Sequence, residues 1–595
     1  MDKIELMAPA GSLANLKAAV ANGADSVYFG MQQFGARAYA TNFNNSHLPE
    51  LIKICKSNQV KTYLTMNTLI KNSEIKSFFQ QLESAYLQGI DAVIIQDPAF
   101  IEIIKKSFPG LKVHVSTQAG VLNSLHANFL TGADRINLAR ELTKEEIKTI
   151  RKNCPKELEM FVHGALCVSL SGSCLFSSFI GGRSGNRGRC AQPCRRKYAS
   201  GNASDNSTAF EYFLSTKDLC LIHKIPEIIE LGINTLKIEG RMRSPYYVAA
   251  TTSIYRKAID SYYAGNFKVT AEITKILNRA FNREFTEGGY AAAPVFNRAK
   301  AAGAEISSGE FYQVKTTEIN LPKRAAKLTL PQIKVQNRAG KRLLVRAYSL
   351  EDALKAAKAG ADLIYFDLFA ADFVSLKEQL QKQHGKQIPL YGITPRIFLD
   401  ADKERLLNEI KTKRPDGLLI GNLGVLNLDL GSNYLQVNPS GFNSPIHFDY
   451  NINCFNDFNL QYLSARGFPI ISPELSFKEL AEFKNKNFAV LVHGKIRLMT
   501  LRHKLEKNMI KDEKGFAFKI NKIFNGTEIL NDKELGFFSK SQELLKQGIN
   551  NFYIDTDKNV GQIVRMYRDL LDNKPIEDKK IKSKYVLGWF FKGVE

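Results

Sequence analysis

The 595-residue sequence contains no run of about eighteen apolar residues, the length a helix needs to cross a bilayer. Its first residues, MDKIELMAPAGS, lack the basic stretch and apolar core of a secretory signal, so the expectation is a cytoplasmic protein. Cysteine is scarce: the eight present are too few for a disulfide scaffold. There is no C-x3-C-x2-C triplet of a radical-generating cluster and no H-E-x-x-H pair of a metalloprotease helix. Acidic residues are in deficit, 59 against 82 Lys and Arg, giving a formal charge of +23. That surplus favours a polyanionic partner, RNA or DNA ahead of an anionic membrane; the plain alternative is a basic enzyme without one. At 44% hydrophobic and 24% charged residues the composition excludes a mainly disordered or fibrous chain. The length suggests about two to four domains.

Short apolar runs alternate with amphipathic helical stretches over residues 1–265. The candidate strands are IELMAP (4–9), SVYFG (26–30), KTYLTMN (61–67), AVIIQD (92–97), KVHVSTQ (112–118), RINLAR (135–140), LEMFVHG (158–164) and TLKIEG (235–240). Their near-continuous apolar character fits parallel strands buried on both faces. Helices are expected between them, one from Ser12 to Asn22 and one in TKEEIKTIRKN, with Thr143 as N-cap. Eight such units make a (β/α)8 barrel, with a doubly wound open sheet as the alternative.

The second half repeats the first. SLANLKAAVANGADSVYF (12–29) is echoed by SLEDALKAAKAGADLIYF (349–366), RINLARELTKEEI by PIISPELSFKELA, and MFVHGAL by VLVHGKI. Three matches in order predict a second (β/α)8 barrel over 341–595, its strands running from LLVRA (343–347) to NFYIDT (551–556). Between the barrels, residues 266–340 form a basic connection. From Lys315 to Arg346 Glu318 is the sole acidic residue, and LTLPQIKVQ and LLVRA look β-like, so this segment reads as a small β-rich insert facing phosphates or as a solvated linker.

Five cysteines cluster: Cys167, Cys174, Cys190, Cys194 and Cys220. In a (β/α)8 barrel the chemistry sits in the loops at the C-terminal ends of the strands. Seven of the first barrel's loops read as short; the one after strand seven, about Ala165 to Thr216, is long and holds four of the five, with Cys220 opening the next helix. Thiolates in this number suit an iron–sulfur cluster or zinc, with scattered structural cysteines as the alternative. Within GGRSGNRGRCAQPCRRK the basic residues Arg183, Arg187, Arg189, Arg195, Arg196 and Lys197 have no acidic neighbour. They could offset a cluster's negative charge or hold a carboxylate or phosphate bidentately, Arg187, Arg189 and Arg195 being the candidates. Polar groups also stand at strand ends where packing would favour apolar ones: Gln96, Asp97, Gln118, His163, Lys237, Glu239 and Arg241. Of these, His163, Glu239, Arg241, Lys237 and Gln118 are the catalytic candidates, and a satisfied ion network is the bland reading. His163 recurs as His493 in a half without the cysteines, which favours a structural role for part of that motif.

At ELEMFVHGALCVSLSGSCLFS (157–177) the sequence resembles the collagenase-like peptidase U 32 family, as do NRGRCAQPCRRKY, KDLC with LKIEGRMRSPYYVA, and the opening APAGS. The resemblance covers the first barrel, and the duplicated second half is similar to the family's long members, which include a ribosomal RNA 5-hydroxycytidine hydroxylase. It implies a [4Fe–4S] cluster on Cys167, Cys174, Cys190 and Cys220, with Cys194 as the alternate fourth ligand. It further implies prephenate, a small dicarboxylate, as co-substrate, and hydroxylation of a pyrimidine at carbon 5, in 23S ribosomal RNA ahead of tRNA. The family name carries a peptidase as the rival, with His163 and Cys167 as its base and nucleophile; a non-catalytic RNA-binding protein is the third reading. The second half follows its VHG with Lys495, Ile496 and Arg497 and keeps only Cys454, which predicts no cluster there and a role as scaffold or RNA-binding surface.

Overall fold

A computed structural model of the chain describes residues 3–595 apart from 201–208, 294, 297–303, 306–311, 320, 336–339, 384–387, 432–433, 435–441, 575–584 and 589. The eight expected strands of the first half are β1 (Glu5–Ala10), β2 (Ser26–Gly30), β3 (Lys61–Met66), β4 (Ala92–Ile95), β5 (Lys112–Val115), β6 (Arg135–Asn137), β7 (Glu157–Ala165) and β8 (Thr235–Ile238). They pair in parallel in chain order, and β8 closes the barrel by pairing with both β1 and β7. Almost every residue of these strands is buried, because helices cover the outside and side chains fill the inside. Helices begin where the sequence supplies caps. Ser12 accepts from the Asn15 amide ahead of Leu13–Ala21, and Thr143 and Glu146 form a capping box on Lys144–Asn153.

The second half repeats the plan with β9 (Arg342–Arg346), β10 (Leu363–Asp367), β11 (Leu390–Ile393), β12 (Gly417–Ile420), β13 (Ile446–Phe448), β14 (Phe468–Pro469), β15 (Ala489–Gly494) and β16 (Asn551–Asp555). These run in one sheet that continues past β15 into the two-residue strand Leu535–Gly536, and a bridge from Ile470 to Ala489 joins the β14 side to β15. Each barrel is elaborated after its seventh strand. The two elaborations meet in one six-stranded sheet, in which Tyr198–Ser200 from the first barrel's loop pairs antiparallel with Met509–Asp512 from the second's.

The barrels face each other about a pseudo-two-fold axis. Asn123, which caps the helix after β5, donates to the Phe398 carbonyl in the turn after β11 at 2.7 Å. Its counterpart Asn456, capping the helix after β13, donates to the Ile70 carbonyl in the turn after β3 at 3.1 Å. Likewise the Ser124 amide donates to Asp400 at 2.9 Å and the Asp457 amide to Asn72 at 2.8 Å. The same patch of each barrel thus contacts the other, the arrangement of a two-fold dimer built within one chain.

The connection departs from expectation. Among the described residues it carries a helix, Ala271–Ala280, and only two-residue strands, Phe281–Asn282, Phe285–Thr286 and Ala304–Glu305. LTLPQIKVQ, whose last residue lies outside the described set, is an extended strap rather than a strand. It is tied down by the Lys327 amide to the Ser107 carbonyl and the Lys334 amide to the Gln461 side chain. Arg324 binds the Tyr86 and Ile90 carbonyls ahead of β4, so the strap crosses the face opposite the barrel mouth. LLVRA is β9.

Candidate active site

The long loop leaves β7 at the mouth of the first barrel and is held by the second. The Leu170 and Leu175 amides donate to the carbonyls of Thr500 and Leu498, at 2.8 and 2.7 Å. Between Cys174 and Cys190, Ser178 and Asn186 donate to the buried carboxylate of Glu474, and the Ser184 amide reaches the Glu595 carbonyl. Gly188 has φ +83° and packs so closely on the loop after β2 that a Cβ there would lie 2.4 Å from the Gly35 oxygen.

Under this loop lies a cavity of about 1620 Å³, open to solvent, and Cys167, Cys174, Cys190 and Cys194 all line it. Burial pushes the Cys174, Cys190 and Cys194 thiols up, Cys194 to about 12, and Cys167 adds to the rise of all three. Cys220 stands apart from the set expected by resemblance. It ends a short strand, Asp218–Cys220, rather than opening a helix; the strand runs antiparallel to β7 and sets Cys220 opposite His163 beside Tyr255, outside the cavity lining. Among the described residues no group of three or more His, Cys, Asp or Glu side chains is arranged to hold a single metal ion. The four thiols share one cavity all the same, and sulfur donors of this number match an iron–sulfur group in kind.

The rest of the charged lining is basic. Arg37, Arg140, Arg195, Arg243 and Arg283 line the cavity against one lining carboxylate, Glu239. Glu239 is ion-paired to Arg37 at 3.0 Å; burial raises its pKa, but Arg37 and then Arg140 outweigh this and hold it below the usual carboxylate value. Next to these arginines, Asp218 binds Arg283 at 3.1 Å and faces Arg243 at 3.7 Å, and its own burial pushes it up to about 6. Arg243 lies over the Phe281 ring, and Arg140 donates to Ser171 at 2.8 Å with its buried Nε unpaired among the described residues.

The remaining candidates divide. Gln118 lines the cavity, and its carbonyl accepts from Gln96 at 3.2 Å. His163 lies outside the lining, fully buried against Tyr247, Tyr255 and Phe285, and burial with Arg243 lowers it to about 3. The second barrel repeats this packing: Tyr255 donates to the Val162 carbonyl and Tyr567 to that of Val492, both at 2.8 Å, beside His163 and His493. Lys237 is inside the barrel, paired to Glu159 at 2.7 Å in a network with Arg135 and Glu5. Arg241 is buried on Thr65 and Asn42 at 2.7 and 2.6 Å. Asp97 receives Asn456 and Asn459 from the second barrel. Arg187 forks onto Glu74 and Arg189 pairs with Glu595, so neither lines the cavity; Arg195 does, with its donors spent on Leu166, Ser215 and Thr216. The cations with access to the cavity that sequence reasoning missed are Arg37, Arg140, Arg243 and Arg283. Arg140 ends the RINLAR run and Arg243 follows Arg241 by two residues, which was the available signal; Arg37 sits in a loop after β2 that is not short, spanning 31–47 before the next helix.

A sequence profile described as peptidase family U32 matches residues 11–299. An uncharacterized protease of Methanocaldococcus jannaschii is 42% identical over 49% of this chain and 74% of its own. The chain belongs to peptidase family U32. Within that family it is also similar to the tRNA hydroxylation protein P1 of Bacillus subtilis, 37% identical over 49% of this chain and 72% of that one. A 23S rRNA 5-hydroxycytidine synthase of Escherichia coli is 35% identical over 44% of this chain and 40% of that one.

Proposed function

We propose that this U32 protein hydroxylates a pyrimidine of RNA at carbon 5, with an iron–sulfur cluster on Cys167, Cys174, Cys190 and Cys194. The observation that carries the reading is a single cavity lined by both four thiols and five arginines. A cluster held there would supply one-electron transfer. Cys194 replaces Cys220 as fourth ligand because it faces the same cavity as the other three. Arg37, Arg140, Arg243 and Arg283 would bind a small dicarboxylate such as prephenate by paired hydrogen bonds, and Glu239 would orient Arg37. The +23 charge would draw RNA to the mouth, so affinity should fall steeply with salt.

Ribosomal RNA is the first choice, since the duplicated second barrel resembles the long, rRNA-modifying members. The tRNA reading has its own support, because the tRNA relative aligns over the larger share of its length. A peptidase reading finds less. A cysteine nucleophile needs a base in reach, whereas Cys167 lines the cavity and His163 lies outside that lining, packed against Tyr247, Tyr255 and Phe285.

The test is nucleoside mass spectrometry of separated rRNA and tRNA from a deletion strain and its parent. Loss of a hydroxylated pyrimidine from one pool, restored by the intact gene, establishes the activity and chooses the RNA. No change in either pool while the gene is expressed overturns it.

A further inference from the structure

The second barrel has lost the cysteines but not its mouth. At the C-terminal ends of its strands, under the hairpin of Ala517–Ile523 and Gly526–Leu530, lies a cleft of about 1610 Å³ that no part of the RNA reading uses. Its floor is charged. Arg396 donates to Asp449 at 2.9 and 2.7 Å, Arg497 donates to Glu528 at 3.0 Å and pairs with Asp555, and Tyr348 donates to Asp555 at 2.6 Å. Asp555 ends β16 just as Glu239 follows β8, so the acid at the end of the eighth strand, held by an arginine, is kept in both barrels. Burying such a network costs desolvation that apolar side chains would avoid, and a barrel's mouth is where ligands bind.

Three arginines, Arg346, Arg396 and Arg497, meet three acids, Asp449, Glu528 and Asp555, so the floor is neutral before a ligand arrives. The acids are engaged, whereas Arg346 has donors to spare. Its side chain lines the cleft, its Nε is buried without a hydrogen bond among the described residues, and it lies 4.0 Å from Asp555. Arg396 Nη1 stands 3.6 Å from Glu528, beyond hydrogen-bond range. Among the polar residues of the lining stand the apolar side chains of Ile393, Ile520, and Phe524 stacked on Phe369 with ring centroids 4.7 Å apart. A polyanion would need a cationic surplus; here the further charged residues of the lining are Lys522, Asp367 and Asp372, one cation to two acids. We infer that the mouth of the second barrel is a binding site for a small organic monocarboxylate, its carboxylate on Arg346 and Arg396 and its flat apolar body against Ile393, Ile520 and Phe524.

The experiment titrates the full chain with a fluorinated benzoate, followed by 19F NMR, with inorganic phosphate as competitor. The expected result is saturable binding that Arg346→Met weakens about tenfold or more, that Arg346→Lys weakens less, and that Lys106→Met on an exposed helix of the first barrel leaves intact. Circular dichroism of each variant separates lost binding from lost fold. Absence of saturable binding by the folded wild-type chain, indifference to Arg346→Met, or displacement by equimolar phosphate overturns the inference. None of these readouts depends on RNA modification, so the two readings fail separately.

Discussion

Glu141 and Glu474 occupy the same place after the sixth strand of their respective barrels, yet among the described residues the Glu474 carboxylate accepts hydrogen bonds across the pseudo-two-fold axis and that of Glu141 does not. Glu474 is fully buried and accepts from Ser178 and, at 3.1 Å, from Asn186, both in the thiol loop. Glu141 is nearly as buried, and neither of its carboxylate oxygens has a hydrogen-bond partner among the described residues. Burial pushes Glu141 up, against the pull of Arg140. One copy of a duplicated acid has therefore become a clamp on the thiol loop, and the other a cost.

Glu474→Ala should free that loop. Removing the acceptor leaves two buried donors unsatisfied, at about 1–3 kcal/mol each. Maleimide labelling of Cys174 and Cys190 in the native protein should accelerate while hydrogen exchange rises within 176–190. Glu474→Gln, which keeps one acceptor, should fall between. Glu141→Met should instead raise the melting temperature, since it removes an unpaired buried carboxyl. Equal labelling rates in wild type and Glu474→Ala would end the clamp account.

Cys194 and Cys220 separate two ligand sets. After anaerobic reconstitution with iron and sulfide, Cys194→Ala should lose the cluster's visible absorption along with RNA modification, as Cys167→Ala and Cys174→Ala should. Cys220→Ala should keep both, because Cys220 lies outside the thiol cavity. The reverse pattern would return Cys220 to the set.

Much of the fold was legible because strands buried on both faces are continuous apolar runs, and SVYFG or AVIIQD can be little else. The caps at Ser12 and Thr143 were legible for the same local reason. What failed was long-range. LTLPQIKV alternates like a strand, but Pro331 interrupts it, and it lies along helix ends and loops instead of a sheet edge. Arg187 is separated in sequence from Glu74, which takes its guanidinium out of the cavity's reach. Cys220 entered the ligand set through the family resemblance; the antiparallel pairing of its strand with β7 sets it opposite His163, outside the lining of the thiol cavity.

Asp218 should control the cavity's arginines. Its buried carboxylate faces Arg283 and Arg243, so Asp218→Asn should weaken binding of a dicarboxylate to the cavity while leaving the thiols' metal content unchanged. Isothermal titration against iron content checks both. Burial raises Asp218 to about 6 from an ordinary 3.8, so between these values the folded state holds more protons than the unfolded. Its penalty on stability is absent below about 3.8 and grows as pH rises toward 6. Asp218→Asn should flatten the stability profile over that window, and an unchanged profile would count against the assignment.

The buried histidines should make the fold acid-sensitive before carboxylates of ordinary pKa titrate. Burial lowers His163, His447 and His493 to about 3 from an ordinary 6.5, so each is neutral in the folded state and takes up a proton on unfolding below 6.5. Stability is then full above 6.5 and is lost as pH falls toward 3, the opposite sign to Asp218. At pH 5.5 each such histidine costs about 1.4 kcal/mol relative to a group that does not titrate. His493 is the cleanest to test, since its ring packs on Phe538, Tyr567 and Tyr585 and neither nitrogen has a partner among the described residues. His493→Phe should keep that aromatic packing and shrink the difference in unfolding free energy between pH 7.5 and 5.5 by about 1.4 kcal/mol, read from urea midpoints at the two pH values. A variant with the full wild-type difference would mean that His493 is protonated in the fold, and the aromatic pocket would then have to hold a cation.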